Sequence, residues 1–402
     1  MKRMNKLITA FLILIITVSC SNEKKAIEKL DTDKVLEYCV EKAQETMNDL
    51  TDVDSLPRNI YPGQKKWNKV GNKDWTCGFW PGVLWYAYEA SNDSTILKKA
   101  KDFTNPLQAV LDVPVDNHDL GFMLYCSFGN GYRLTQDPEY HDFLIEAADS
   151  LATLYNPKVG TILSWPVMRK KMNWPHNTII DNMINLELLF WASKNGGDKS
   201  LYDMAVKHAE TCMTTLIRPD FSTYHVAVFD TIDGHFIKGV THQGYADDSQ
   251  WARGQGWGIY GYTMCHRETG KVEFLETAKK LADVFIDRLS EDGVPYWDFN
   301  DPSIPNAPKD ASAAAVVASG MLELSTFMKD KADQLKYRNA AVSLLTKLST
   351  DMYLSKDVNQ AMLLHSTGHL PHNSEIDASI IYADYYFIEA LLRLKKIEDS
   401  EK

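Results

Sequence analysis

The chain has 402 residues, 45% of them hydrophobic and 24% charged, with a formal net charge of -11. That balance suits a soluble, globular protein with a sizeable core, built as one large domain or two ordinary ones. It argues against nucleic acid as a partner, because phosphate neutralisation needs clustered Lys and Arg and none appear; an acidic sugar stays open, since local field outranks net charge.

From the N-terminus, the basic MKRMNK precedes an apolar run, Leu7 to Ser19, that ends at Cys20. The run is short for a membrane span and reads as a secretory leader. TVSC is similar to a bacterial lipobox, with Thr17 where Leu is usual. On that reading residues 1–20 are signal and lipidation site, Cys20 carries the lipid, 21–31 form a tether and 32–402 one folded domain. A plain signal peptide or anchor is the alternative. Membrane contact is then through the lipid alone, in the cell envelope as a periplasmic or outer-membrane lipoprotein. Cys39, Cys77, Cys126, Cys212 and Cys265 are widely spaced without a CxxC, which predicts buried free thiols.

Downstream, amphipathic helices with polar surfaces occupy Thr32 to Leu50, Ser94 to Leu111, Pro138 to Tyr155, Lys199 to Leu216, Val272 to Leu289 and Ala332 to Leu348. Between them, runs starting near Gly78, Asp119, Asp181, Ala252, Ala311 and Ala378 are rich in aromatics, Gly and Ala, and read as buried on all sides. In GFWPGVLWYAYEA and GQGWGIYGYTM small residues permit close helix approach and bulky rings follow one turn on, so Trp80, Trp85 and Trp191 are assigned to packing. Six outer and six inner helices, repeating at an irregular spacing of about 40 to 70 residues, predict an all-α fold, a closed (α/α)6 double toroid. Alternation makes the inner helices parallel, so their N-termini, with partial positive charge and free N–H groups, gather at one end. The long connections Thr51 to Thr76, Asn156 to Thr178, Arg218 to Gln250 and Leu354 to Glu375 are expected to wall a cup there. No Gly/Ser or Pro-rich linker divides the chain.

Asp119 in HDLGF and Asp181 in IIDNMINLELLFWA each open an inner run. A carboxylate in that position caps the helix, does chemistry, or both. Paired carboxylates in a Trp-rich chain suggest sugar chemistry, one group donating a proton while the other stays charged. A donor has to be neutral near working pH, yet a helix N-terminus favours the ion. Two carboxylates in an aromatic pocket resolve this by raising one pKa, and the expectation places that rise on Asp181. His118 either polarises or positions its neighbour. His365, His369 and His372 have H-x3-H-x2-H spacing, but Gly368 and Pro371 break a regular ligand-bearing helix, so no metal is expected.

Five segments in order, DWTCGFWPGVLWYAYE (Asp74 to Glu89), HDLGF (His118 to Phe122), IIDNMINLELLFWA (Ile179 to Ala192), THQGYADDSQWARGQGWGIYG (Thr241 to Gly261) and HNSEIDASIIYADYYFIEAL (His372 to Leu391), resemble glycoside hydrolase family 88, the unsaturated glucuronyl hydrolases. The resemblance implies a cofactor-free enzyme acting on an oligosaccharide whose non-reducing end is a 4,5-unsaturated uronic acid, supplied by an upstream polysaccharide lyase. It makes Asp181 the donor that protonates C4 of the vinyl ether, and Asp119 the group that holds ring hydroxyls and assists Asp181. It places His118, His225, Gly239, Thr241, Gln243, Arg253 and Trp257 at the substrate, with Trp75 and Trp165 adding to the wall. Arg253 suits a uronate carboxylate through two parallel bonds, with a structural bridge to Asp247 or Asp248 as its alternative. Ser366, Thr367 and His369 fall near the second sugar; some members carry Lys where His369 stands, which leaves sulfate preference open. The rival readings are an unsaturated rhamnogalacturonyl hydrolase of pectin fragments and a non-catalytic glycan-binding lipoprotein, with an inverting glycosidase or a sugar epimerase on a similar ring behind them.

Overall fold

The computed structural model describes residues 30–402; the leader, Cys20 and its expected lipid lie outside the described residues. Helix α1 (Thr32–Asp49) is followed by strands β1 (Leu56–Ile60) and β2 (Asn68–Val70), helices α2 (Phe79–Ser91) and α3 (Ser94–Thr104), and a 3-10 stretch (Asn105–Asp112). A π-helix (Gly121–Gly129) runs into α4 (Asn130–Thr135), and α5 (Pro138–Ala152) returns. Strands β3 (Tyr155–Asn156), β4 (Thr161–Ile162) and β5 (His176–Ile179), with α6 (Met168–Lys171), precede α7 (Asn182–Lys194) and α8 (Ser200–Thr215). Strands β6 (Val226–Phe229) and β7 (Phe236–Val240) lead to α9 (Ala252–Thr269) and α10 (Val272–Asp287). The chain ends with α11 (Ala311–Thr326), α12 (Lys331–Leu348), β8 (Ser379–Ile380) and α13 (Ile381–Ser400).

Contacts close the inner helices into a ring. α2 packs on the π-helix, the π-helix on α7, α7 on α9, α9 on α11, α11 on α13, and α13 back on α2. Outside them, α3 lies on α2, α5 on the π-helix and α7, α8 on α7, α10 on α9, α12 on α11, and α1 on α2 and α13. This is the (α/α)6 double toroid. Glycine permits the approach of the inner walls. A Cβ on Gly78 would sit 2.2 Å from the carbonyl oxygens of Phe122 and Met123, and one on Gly261 would sit 2.4 Å from Cβ of Met183. Trp80, Trp85 and Trp257 are each 2% exposed or less, and burying a large apolar side chain contributes roughly 1.5–3 kcal/mol. The five described cysteines are buried and free.

Helix starts differ between the layers. Asp31, Asp93, Asp137 and Asp330 cap outer helices through their side chains. Of the inner starts only α11 has such a cap, from Asp310; α2, the π-helix, α7, α9 and α13 have none. Several of their first N–H groups bond elsewhere instead: Phe79 donates to the Thr76 carbonyl, Phe122 to Asn185 Oδ1 and Ala252 to the Trp297 carbonyl.

The structure departs from the sequence reading in three places. The helix expected to run to Leu111 tightens at Asn105, because Pro106 lacks an N–H and its ring opposes a further α-turn. The run after Asp119 opens with π-type hydrogen bonding, a geometry that concentrates at functional sites. The long connections carry small antiparallel sheets, ordered β2-β1-β8, β3-β4 and β5-β6-β7, which pin the cup's walls to each other.

Candidate active site

At the end of the ring where α7 and α9 begin, a cavity of about 320 Å³ is lined by His118, Asp119, Asp181, Trp75, Trp165 and Trp257, with Arg58, Arg253, Gln243 and Tyr382. A larger cavity of about 590 Å³ opens among the C-terminal ends of the inner helices. Its charges are already matched, Arg133 with Glu89 and Arg267 with Glu187 and Glu268, and neither aspartate reaches it. The chemistry belongs to the smaller cavity.

Neither aspartate spends its side chain on capping. Asp181 occupies the N-cap position of α7 without a side-chain cap bond, and its Oδ1 is buried and unpartnered. At Asp119 the local capping falls to Asn117, whose Oδ1 accepts the Asp119 N–H.

Each aspartate faces one histidine. His118 Nε2 lies 3.4 Å from Asp119 Oδ1, and His225 Nε2 lies 3.5 Å from Asp181 Oδ1. The far nitrogens fix both tautomers. Asn185 accepts the Phe122 backbone N–H on Oδ1, which orients its Nδ2 to donate to His118 Nδ1 at 3.3 Å. His225 Nδ1 accepts backbone N–H groups from His242 and Gln243 at 3.1 and 3.0 Å. With Nδ1 occupied as an acceptor, each ring carries its proton on Nε2, which lies near an aspartate without closing a hydrogen bond to it in the free protein. Burial lowers His118 to about 4, so it is a neutral donor at physiological pH.

Asp119 is the carboxyl with the raised pKa. Burial pushes it well above the ordinary carboxylate range, and the negative charges of Asp181 and Asp74 push it further. The sequence reading places the rise on Asp181; the raised carboxyl found in the structure is Asp119, buried near the start of the π-helix with Asp181 and Asp74 as like-charged neighbours.

The other expected residues separate into groups. Trp75 and Trp165 are half-buried walls. Trp75 meets Phe122 and Tyr382 and carries Arg58 over its ring, while Trp165 sets an edge against His118 and His225. Trp257 lies deeper, packed between Phe122 and Tyr386 and 1% exposed, so it forms the floor and not an open stacking platform. Gln243 lines the cavity and donates to the Gly368 carbonyl at 3.3 Å. Gly239 and Thr241 stand outside the lining. A Cβ at Gly239 would strike the Tyr224 ring at 2.6 Å, and Thr241 accepts the Gly244 N–H while donating its own to Asp247, so both shape the loop. Ser366 and Thr367 are buried behind the wall, and His369 faces the cavity.

Arg253 lines the cavity and is also held within the protein. Its guanidinium is 1% exposed and donates to Asp310 at 2.5 Å, to the Thr367 carbonyl at 2.7 Å and to the Gly368 carbonyl at 2.5 Å. In the free protein the guanidinium acts as a clamp, and its ionic partner is Asp310 instead of Asp247 or Asp248. The sequence reading missed Arg58, which reaches the cavity from β1 and pairs with Asp74 and Glu375. It also missed His242, which burial lowers to about 4, although it stands between the two named residues Thr241 and Gln243. Its neighbour His369 is lowered to about 3, by burial and by the nearby imidazoles.

A model of Glycosyl Hydrolase Family 88 matches residues 38–369. The chain belongs to glycoside hydrolase family 88. It is 42% identical over 409 residues to the unsaturated glucuronyl hydrolase of Formosa agariphila, covering 98% of this chain and 99% of that one. To the unsaturated chondroitin disaccharide hydrolase of Streptococcus pyogenes serotype M1 it is 39% identical over 334 residues, 81% of this chain and 82% of the relative. The crystal structure of an unsaturated glucuronyl hydrolase specific for heparin superposes with a TM-score of 0.87 at 42% identity, covering 92% of this chain and 98% of the other. In this toroid Asp119 and Asp181 meet at the cavity, and the third carboxylate of its lining, Glu375, is engaged by Arg58 and Asn59.

Proposed function

We propose that the protein removes a 4,5-unsaturated glucuronyl residue from the non-reducing end of lyase-generated glycosaminoglycan oligosaccharides, by hydrating the C4=C5 vinyl ether. The observation that carries this reading is the buried carboxyl pair, each member beside an imidazole Nε2–H, with one pKa raised. The relatives named above act, by their names, on unsaturated glucuronyl and chondroitin substrates.

Asp181, the C4 donor implied by the family resemblance, delivers its proton, and positive charge develops at C5 and the ring oxygen. Water adds at C5 and returns a proton to the same carboxylate. The resulting hemiketal opens and releases the neighbouring sugar as its free hydroxyl. Entry of an anionic sugar adds a like charge that keeps one proton on the pair. Asp119, the raised carboxyl of the free protein, passes the shared proton to Asp181 as the substrate enters and then, as the carboxylate, accepts from a ring hydroxyl. The Nε2–H of His225 stabilises the carboxylate left after proton delivery.

In the free protein His369, standing where some members carry Lys, is a neutral imidazole beside the second sugar, which favours an unsulfated one. The double bond is the mark of β-elimination, so a polysaccharide lyase precedes this step. We place the protein in the cell envelope, held by a lipid on Cys20. Incubation with lyase-made hyaluronan, chondroitin, heparin and rhamnogalacturonan disaccharides, followed by loss of ultraviolet absorbance, tests the substrate class. Turnover of an unsulfated glycosaminoglycan disaccharide ahead of the others is expected; turnover of the pectic disaccharide alone would overturn the assignment.

A further inference from the structure

The H-x3-H-x2-H spacing does not survive folding as a set. His365 Nδ1 turns away to Asp377, 2.6 Å distant. In its place the loop after β7 brings in His242. Its ring centroid is 4.9 Å from that of His369 and 5.0 Å from that of His372, edge-on to both. His369 and His372 stack at 4.0 Å with planes 10° apart. The stack follows from the 3-10 turn Leu370–His372, in which residues three apart eclipse. A reciprocal backbone pair between His369 and Ser374 holds the turn.

We propose that His242, His369 and His372 form a binding site for a transition-metal dication, Zn²⁺ or Co²⁺, at the mouth of the saccharide cavity. One ligand nitrogen from each ring lies within 4.8 Å of the other two. Three imidazoles around zinc, at about 2.0–2.1 Å each, stand roughly 3.3 Å apart, so the rings need only rotate inward. His372 is exposed and free to do so. The second observation is at His369, whose two ring nitrogens are both buried and without a hydrogen-bond partner. Buried polar atoms without partners are uncommon and call for one.

Among the described residues no carboxylate joins the three rings to complete the sphere. Glu375 is engaged by Arg58 and by Asn59, which donates at 2.7 Å. Three histidines with an open fourth position leave the metal facing the cavity, where water or an anionic oxygen of the sugar completes it. The ring set comes from two connections, 241–243 and 369–372, so a bound metal also ties these two walls together. Its presence can be read without any sugar, and it stands or falls independently of the hydrolase assignment.

The test is titration of the full chain with ZnCl₂ by calorimetry and with CoCl₂ by visible absorption. One equivalent is expected, with the intense bands of low-coordinate cobalt. His242→Ala and His372→Ala should each weaken binding about tenfold or more, with circular dichroism unchanged for the exposed His372→Ala. Asp233→Ala should leave binding intact; it tests the competing cluster of Asp230, Asp233 and His235 on an exposed turn. Absence of binding below millimolar metal would overturn the proposal, as would binding that persists in both histidine variants or disappears with Asp233→Ala.

Discussion

The two Asp–His pairs make different demands on their variants. Asp181→Asn removes the group assigned to C4, and turnover should fall by about 10²–10⁴-fold, measured as the rate of absorbance loss. His225→Phe keeps an aromatic ring against Trp251, which lies 4.6 Å away, but removes the Nε2–H. It should lower kcat by about 10²-fold while moving KM far less; equal changes in both would make His225 a substrate ligand instead of a support for Asp181. Asp119 makes a stability prediction as well. Its folded pKa lies above its unfolded value, through burial and the charges of Asp181 and Asp74, with Arg58 opposing. The folded state therefore binds more protons than the unfolded state between those two values. Stability then falls as pH rises through that window. Asp119→Asn should raise the melting temperature at pH 7 and gain little near pH 3.5, as read by thermal denaturation at both pH values.

At the scale of elements, the site depends on close contacts between the starts of inner helices. A Cβ on Gly121 would meet Asn185 Oδ1 at 2.5 Å, the atom that accepts from Phe122. Gly121→Ala should cost about 1–3 kcal/mol by overpacking and also lower activity, because Asn185 sets the His118 tautomer. Full activity in a destabilised variant would separate the two. The Arg253–Asp310 clamp joins α9 and α11 to residues 367–368; Asp310→Ala leaves a buried guanidinium short of its counter-ion and should cost about 3–5 kcal/mol. Much at this scale is legible in the sequence. The outer helices show a polar face, and the inner ones show Gly followed by aromatics. The strands in the connections escape such a reading because β3, β4 and β8 are only two residues long and carry no alternation. The engagement of Arg253 escapes it because Asp310 is 57 positions away, and no local pattern relates them.

The whole molecule works as a ring, and the last helix closes it. α13 meets α1, α2 and α11, and carries Tyr382 to the cavity wall. Deletion of residues 381–402 should therefore abolish cooperative unfolding, not merely lower its midpoint, as followed by far-ultraviolet circular dichroism. The paired aspartates were identifiable before folding because family motifs surround them. Which of them is raised was not, since enclosure is a property of the assembled ring. The central claim is that protonation of C4 occurs on the protein, before the sugars part. Its most direct test is turnover of an unsulfated unsaturated disaccharide in deuterium oxide, with the first product followed by nuclear magnetic resonance at early times. Deuterium on a single face of C4, with no such product from Asp181→Asn, is the predicted result. Equal deuterium on both faces would place protonation in free solution after release and contradict the account.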